Sequence, residues 1–471
     1  ALPAFTTLEF AGNNTAGLNL DGAASDVSVE LSDRNLDLTV PEALGTSNVA
    51  LDDDTGSSDV VNLNVNRTDD TTEDETFDAN TTTVDGVETI NFSTSGSNPT
   101  DADTTAVTAQ LDGDAATAVN ISGSNELALT IGDVAGDEVT VDASEATGDV
   151  ALSISAAEAA GVTGGFTGGQ SGSDSLTITG VDTETVELQS SAFETVGATF
   201  DDQATGEVQV DRVSDVDTIA LTLNGTQTDA GVAGAQVMTV SGISDGLTVT
   251  IDGSPGDNTD AGNGGAGASA NELVLEGAGS TSSLTAALNT ANDFETTGGS
   301  DLAVNRAGTV TVDVADAADT AQSINNLTLG TAEDLVLTGG DSDLTITTAT
   351  AGDLETITST GLTSGSTLQL GDGTGNATEF IGSALNYELG DHGFGINLET
   401  AAAARDTVSF DGSDITSGSI ANFDGGLGGD ILDFSAFESI SGIGDLTLAD
   451  VNGNNDLEID SDAFDGTVTL V

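Results

Sequence analysis

The chain has 471 residues, and its 80 Asp and Glu side chains stand against 5 Arg and no Lys, for a formal charge of −75. Arg34, Arg67, Arg212, Arg306 and Arg405 are too scattered in such a field to build the cation cluster that phosphate needs, which excludes nucleic acid as a partner. No apolar run approaches the length of a membrane span, and the absence of Cys removes disulfides and thiolate metal sites.

Carboxylates at this density repel one another across a folded surface, so folding requires bound cations or concentrated salt. Asp outnumbers Glu by roughly two to one and sits mostly beside Gly, Asn, Ser and Thr. In such turns a short carboxylate and backbone carbonyls converge on a hard cation, which points to Ca²⁺. Halophilic surface acidity is the alternative reading. With 60 Gly, 3% aromatic residues and abundant Thr, Ser, Ala and Val, the side chains suit thin stacked β layers.

In chain order, strand-like runs occur at 27–31, 60–65, 88–92, 127–131, 176–178, 208–210, 219–223, 247–251, 273–275, 310–314, 327–329, 335–337, 344–346 and 368–370. Each alternates apolar residues with Thr, Ser or Asp and is closed by Gly, Asn or Asp. That pattern suits a sandwich or a solenoid. A second pattern leans towards the solenoid: an apolar residue, an acid, Thr and another apolar residue recur at Val87 to Ile90, Phe193 to Val196, Val216 to Ile219 and Leu354 to Ile357, with a weaker copy at Phe294 to Thr297. Such a signature is expected if each copy marks the same corner of a repeating coil.

Ala-rich stretches at 156–160, 284–294, 314–324 and 398–405 have the residues for short helices. The sequence therefore predicts an all-β chain, a repetitive parallel β-solenoid or β-helix with short helical insertions and a C-terminal β-roll segment. It divides into a β-rich repetitive region over 1–255, a Gly-rich loop or hinge over 256–268, a β-solenoid region over 269–405 and a C-terminal region over 406–471. The start at Ala1 without Met fits a removed leader or a fragment.

The most specific motif is Gly425-Gly426-Leu427-Gly428-Gly429-Asp430-Ile431-Leu432-Asp433, which meets the nonapeptide G-G-x-G-x-D-x-U-x at every defined position. Its glycines present carbonyls inward, Asp430 closes on Ca²⁺ and Leu432 is expected to point into a β-roll. Asp424, Gly426, Gly428, Asp430 and Asp433 are the candidate ligands here, with Asp411 upstream. Asp450, Asn452, Asn454 and Asp456 fall at alternate positions of a second candidate calcium loop. That loop departs from the EF-hand pattern at Asn455 and Ser461, so an Asn-rich hairpin turn competes with it. Asp341 and Asp343 form a weaker acidic cluster.

The stretch Asp411 to Phe437, with Ser419 to Asp424 before the nonapeptide and Asp433-Phe434-Ser435 after it, resembles the C-terminal region of the type I secreted calcium-binding RTX class. The Thr-, Ala-, Gly- and Asp-rich body resembles the RTX-type bacterial surface-layer proteins. The resemblance implies export through an uncleaved C-terminal signal and an extracellular place on the cell surface. Catalysis has no support, since the lone His392 has no thiol or lysine to work with and the chain lacks Trp platforms for a sugar cleft. The expected function is a non-enzymatic structural protein that binds Ca²⁺ and assembles with copies of itself into a surface layer or filament, with cell-surface polysaccharide as a further partner. A secreted adhesin or biofilm-matrix protein with a β-repeat stalk is the alternative.

Overall fold

The computed structural model describes residues 8–11, 19–23, 27–32, 47–51, 60–67, 77–96, 107–134, 139–200, 205–224, 237–254, 272–288, 301–314, 322–339, 344–351, 356–360, 367–370, 386–389, 393–397, 407–410, 417–421, 423, 429–450, 456–464 and 466–471. These fall into two compact units, the first comprising Ala1–Thr199 with Val208–Ile219, the second Phe200–Glu207 with Ala220–Val471.

In the first unit the chain alternates between two parallel sheets, each strand pairing with the next but one. One sheet runs through Leu8–Ala11, Val27–Ser32, Val60–Arg67, Thr89–Gly96, Ala118–Gly123, Thr140–Ala146 and Gly165–Thr167. The other runs through Asn19–Ala23, Ser47–Leu51, Phe77–Asp85, Val107–Gly113, Leu127–Val134, Val150–Ser155 and Ser175–Val181. This is a parallel β-solenoid whose coils each give one strand to either sheet.

The period-two pattern explains the core. Val61 stacks on Ile90 and Ile90 on Val119, while Leu63 stacks on Phe92 and Phe92 on Ile121, all of them buried. On the facing sheet Leu127, Leu129 and Ile131 lie against Val150, Leu152 and Ile154. One coil alone could not cover these side chains. Stacking does, and each fully buried Leu, Ile, Val or Phe contributes about 1.5–3 kcal/mol relative to an exposed one.

The second unit repeats the scheme. Glu272–Leu288 and Asp301–Asp313 each pass through a corner as one extended segment, so that Leu273 and Leu275 serve one sheet and Leu284, Ala286 and Leu288 the other. The corner of the second segment is taken by Arg306 at φ 60°. The coils continue through Gln322–Leu329 and Asp334–Thr338 to Thr407–Phe410, Ser417–Ala421 and Ile431–Asp433.

The helical expectations need correction at two places. Ala156–Ala159 is a helical turn, with the Ser155 hydroxyl accepting the Glu158 N–H at 3.3 Å. Leu284–Leu288, expected as part of a helix, is strand. Its Leu284, Ala286 and Leu288 alternate inward, and pairing on both sides, with Thr248–Ile251 and with Val310–Asp313, outweighs the weak helical preference of a short Ala-bearing run. Residues 322–324, the end of the expected 314–324 helix, are also strand, with Ile324 buried and in register with Ile346. Residues 289–294, 315–321 and 398–405, like the Gly-rich 256–268, lie outside the described residues.

The parallel pattern ends in an antiparallel meander. Thr447–Ala449 pairs with Leu457–Asp460, and this pairs with Val468–Leu470, which returns in parallel to the edge of Ser417–Ala421. Phe410, Phe434, Phe437 and Phe464 cluster beneath it, with Phe410 and Phe434 stacked at 5.0 Å and Phe437 and Phe464 tilted at 5.6 Å.

Candidate functional site

The acid–Thr signature folds as a corner in the first unit, but not always the same one: Val87–Ile90 enters Thr89–Gly96 of one sheet, whereas Phe193–Val196 and Val216–Ile219 enter Thr195–Phe200 and Thr218–Asn224 of the other. The Glu88 carbonyl accepts the N–H groups of Thr117 and Ala118 at 2.9 and 3.0 Å, the Asp174 carbonyl those of Glu194 and Thr195 at 3.1 and 3.2 Å, and the Glu194 carbonyl those of Asp217 and Thr218 at 2.9 and 3.1 Å. One carbonyl thus holds two consecutive amides of the next coil. The apolar residues on either side, Val87 and Ile90, Phe193 and Val196, are buried and anchor the turn.

This geometry stacks charge. Glu126, Asp149, Asp174, Glu194 and Asp217 each stand immediately before a strand of the same sheet, namely Leu127–Val134, Val150–Ser155, Ser175–Val181, Thr195–Phe200 and Thr218–Asn224. Neighbouring strands lie about 4.8 Å apart, so these acids line one edge of the sheet at close spacing.

Asp174 is the most constrained of them. It is fully buried, its Oδ1 accepts the Val150 N–H at 2.7 Å, and its own N–H donates to Glu194 Oε2 at 2.7 Å. Its Oδ2 is buried without a hydrogen-bond partner. Burial pushes its pKa above the ordinary 3.8, the Val150 and Gly169 amides pull the other way, and the charges of Glu194 and Asp149 add to the rise. Asp149 is itself engaged through Oδ1 with the Ser171 hydroxyl.

The same cost recurs elsewhere. Asp85 is pushed up by burial and then by Asp114, and Glu272 by burial and then by Asp301, its partner in register. Other acids are matched to neutral donors instead. Asp301 Oδ1 accepts from Asn325 Nδ2 at 3.1 Å and Asn326 Nδ2 at 2.7 Å, and Asp313 Oδ1 from the Thr338 hydroxyl at 2.7 Å. On the first unit's other sheet, Asn91 donates to Asn62 at 2.7 Å and Asn120 to Asn91 at 2.8 Å, a ladder that repeats every 29 residues.

Of the residues that the sequence nominated, Asp430 precedes and Asp433 ends the short strand Ile431–Asp433, both half-buried, and Asp433 Oδ1 accepts the Ser435 N–H at 2.8 Å. Leu432 is half-buried and lines a surface groove rather than a sealed core. Asp450 is exposed and Asp456 half-buried, at the two ends of the link between Thr447–Ala449 and Leu457–Asp460. Those strands pair antiparallel, as the hairpin reading of this stretch requires. Asp424, Gly426, Gly428, Asp411, Asp341, Asp343, Asn452 and Asn454 lie outside the described residues, as does His392.

Among the described residues no three His, Cys, Asp or Glu side chains converge as a metal-binding group. Asp174 sits in this row between the charges of Glu194 and Asp149, with the Val150 and Gly169 amides partly offsetting them. Sequence reasoning found Glu194 and Asp217 through the acid–Thr signature. It missed Glu126, Asp149 and Asp174, which lack the following Thr and show only as acids preceding strands.

Near the C-terminus a groove of about 470 Å³ is lined by Phe423, Leu432, Phe434, Leu446, Leu457 and Ile459, with Ile443 76% exposed and Leu448 45% exposed on its border. No helix among the described residues is long and apolar enough to cross a membrane. Comparison with protein-family models, with curated proteins and with solved structures returns no match.

Proposed function

We propose that the chain is a secreted, non-enzymatic structural protein of RTX type, which self-assembles on the cell surface in a calcium-dependent manner. The observation that carries the reading is the stacking of acids at the solenoid corner from Glu126 to Asp217, with Asp174 buried among them and pushed up in pKa. A parallel solenoid repeats whatever stands at a corner, so acid at that position places carboxylate beside carboxylate in a chain of charge −75. Divalent cations offset that repulsion within a subunit, and between subunits they do the same for surfaces that otherwise repel. Asp149, Asp174 and Glu194 would hold a cation pairwise along the row, and the Gly425–Asp433 turn would hold one by the chemistry of its nonapeptide.

The test compares purified chain in chelator, in millimolar-range Ca²⁺ and in concentrated KCl, by circular dichroism and electron microscopy. Ordered sheets or fibres with Ca²⁺ alone support the proposal. Gain of structure with the chain remaining monomeric favours the adhesin reading, and an equal response to KCl reduces the acidity to salt adaptation.

A further inference from the structure

In a chain with this much acid, the exposed positions that lack it are informative. On the sheet that carries the acidic corner, the first two outward positions of four consecutive strands are uncharged. Thr108, Ala128, Ala151 and Ser175 form one column across the sheet, and Gln110, Thr130, Ser153 and Thr177 form the next. Together with Thr81 they line a shallow trough of about 420 Å³. Thr130 and Ala151 are exposed and the remainder of the two columns half-buried. The acids stand at the margins: Glu126 and Asp149 precede the strands on one side, and Asp112, which accepts from Gln110 at 3.0 Å, and the exposed Asp133 lie on the other. The opposite sheet of the same unit is different, with Asp142, Glu187 and Asp211 among its outward residues.

We infer that this uncharged face is where a second copy of the chain docks, sheet against sheet, an assignment that rests on the self-assembling function proposed above. Three observations select that occupant. Two bodies of charge −75 repel wherever their carboxylates meet, so a copy approaches a copy most cheaply through the face from which acid is missing. Depletion of charge is also the compositional mark of an interface core. Short hydroxyl, methyl and amide side chains both donate and accept hydrogen bonds, so the face complements itself across a two-fold axis, at the roughly 10 Å separation of packed sheets. The trough has neither the basic groups that an anionic ligand needs nor the aromatic platforms that a sugar needs. The marginal acids of the two copies then face one another around the contact, where bridging cations take effect. The patch is smaller than the roughly 800 Å² per partner of a stable complex, so the contact is weak in a pair and holds within an array of many such contacts.

The chain has no Cys, so a single introduced thiol reports on its own surroundings. In the Ca²⁺-assembled state, Thr130→Cys and Ser153→Cys are expected to give covalent dimers with a short bis-maleimide, and Asn91→Cys on the opposite sheet is expected to remain monomeric. The double variant Thr130→Glu with Ser153→Glu is expected to raise the concentration needed for assembly by about tenfold or more, with far-UV circular dichroism unchanged, and Asn91→Glu to leave it unaltered. If the wild-type chain does not assemble with any cation, the proposed function falls and this assignment falls with it. If the wild type assembles but the charged double variant assembles equally well and the thiols at 130 and 153 stay uncoupled, the docking face is refuted and the function stands. Retention of the monomer on neutral polysaccharide, abolished by the same double variant, would assign the trough to a glycan instead. Should the double variant misfold, the thiol coupling decides alone.

Discussion

Asp174 does two opposed things, and substitution separates them. Its Oδ1 satisfies the Val150 N–H inside the solenoid, while its ionised form is buried beside Glu194 and Asp149. Below the ordinary carboxyl pKa of 3.8 both folded and unfolded states are protonated at this residue. As pH rises, the unfolded chain loses the proton first and the folded chain later, because the folded pKa is raised. The folded state therefore binds more protons between the two values, and stability declines across that window and remains lower above it. Asp174→Ala removes the acceptor and leaves a buried N–H unpaired, which costs about 1–3 kcal/mol while the carboxyl is neutral. Above the window the variant also escapes the cost of the buried charge, so its deficit relative to wild type shrinks. Asp174→Asn keeps an acceptor for Val150 and is expected to be the milder change. Urea denaturation from about pH 4.5 to about pH 7.5, with divalent cations chelated and concentrated KCl present, measures all three. A variant Asp174→Ala that matches wild type at every pH, or a deficit that grows as pH rises, would refute the reasoning.

Three further outcomes follow from the same structure. A Cβ on Gly168 would sit 1.7 Å from the Ala192 carbonyl oxygen, while the Gly168 N–H is held to Ser191 at 2.9 Å, so Gly168→Ala must push adjacent coils apart and is expected to lose about 3 kcal/mol; Gly172→Ala, with nothing within 4 Å, stays within about 0.5 kcal/mol in the same urea melts. Phe193→Ala removes a fully buried ring from the acid–Thr corner and is expected to cost about 3–5 kcal/mol, read as a lowered urea midpoint with early hydrogen exchange in the flanking strands. Glu272→Gln removes a carboxyl whose pKa is pushed up by burial and by Asp301, so in thermal melts with divalent cations chelated and concentrated KCl present the variant should gain on wild type as pH rises above the ordinary 4.5 and match it below.

The strands were legible because one apolar face per strand forces period two. Val60–Arg67, Leu127–Val134 and Asp334–Thr338 all carry the alternation that the sequence shows. The acid–Thr corners at Glu194 and Asp217 were legible because a coil repeats its corner chemistry, Glu194 and Asp217 preceding neighbouring strands of one sheet. Asp174 was not, since nothing local distinguishes a carboxylate that turns inward to serve Val150 from one that faces solvent. Burial of that kind depends on a coil 24 residues away. Leu284–Leu288 misleads for a related reason: short Ala-bearing segments are permitted in either structure, and neighbours on both sides decide. Of the closing meander only the Asn-rich hairpin was legible; the return of Val468–Leu470 to Ser417–Ala421 was not, because it spans the whole intervening C-terminal segment.

That meander has a consequence for growth. A parallel sheet with a bare last strand is a template on which another chain extends the ladder, and polymerisation then proceeds by the backbone with little regard for side chains. Here Val468–Leu470 occupies the rim of Ser417–Ala421 and is itself sheathed by Leu457–Asp460 running the other way. The strand left at that rim is Thr447–Ala449, three exposed residues running against their neighbour, so any chain that adds there meets a short template and not the long parallel ladder of the coils.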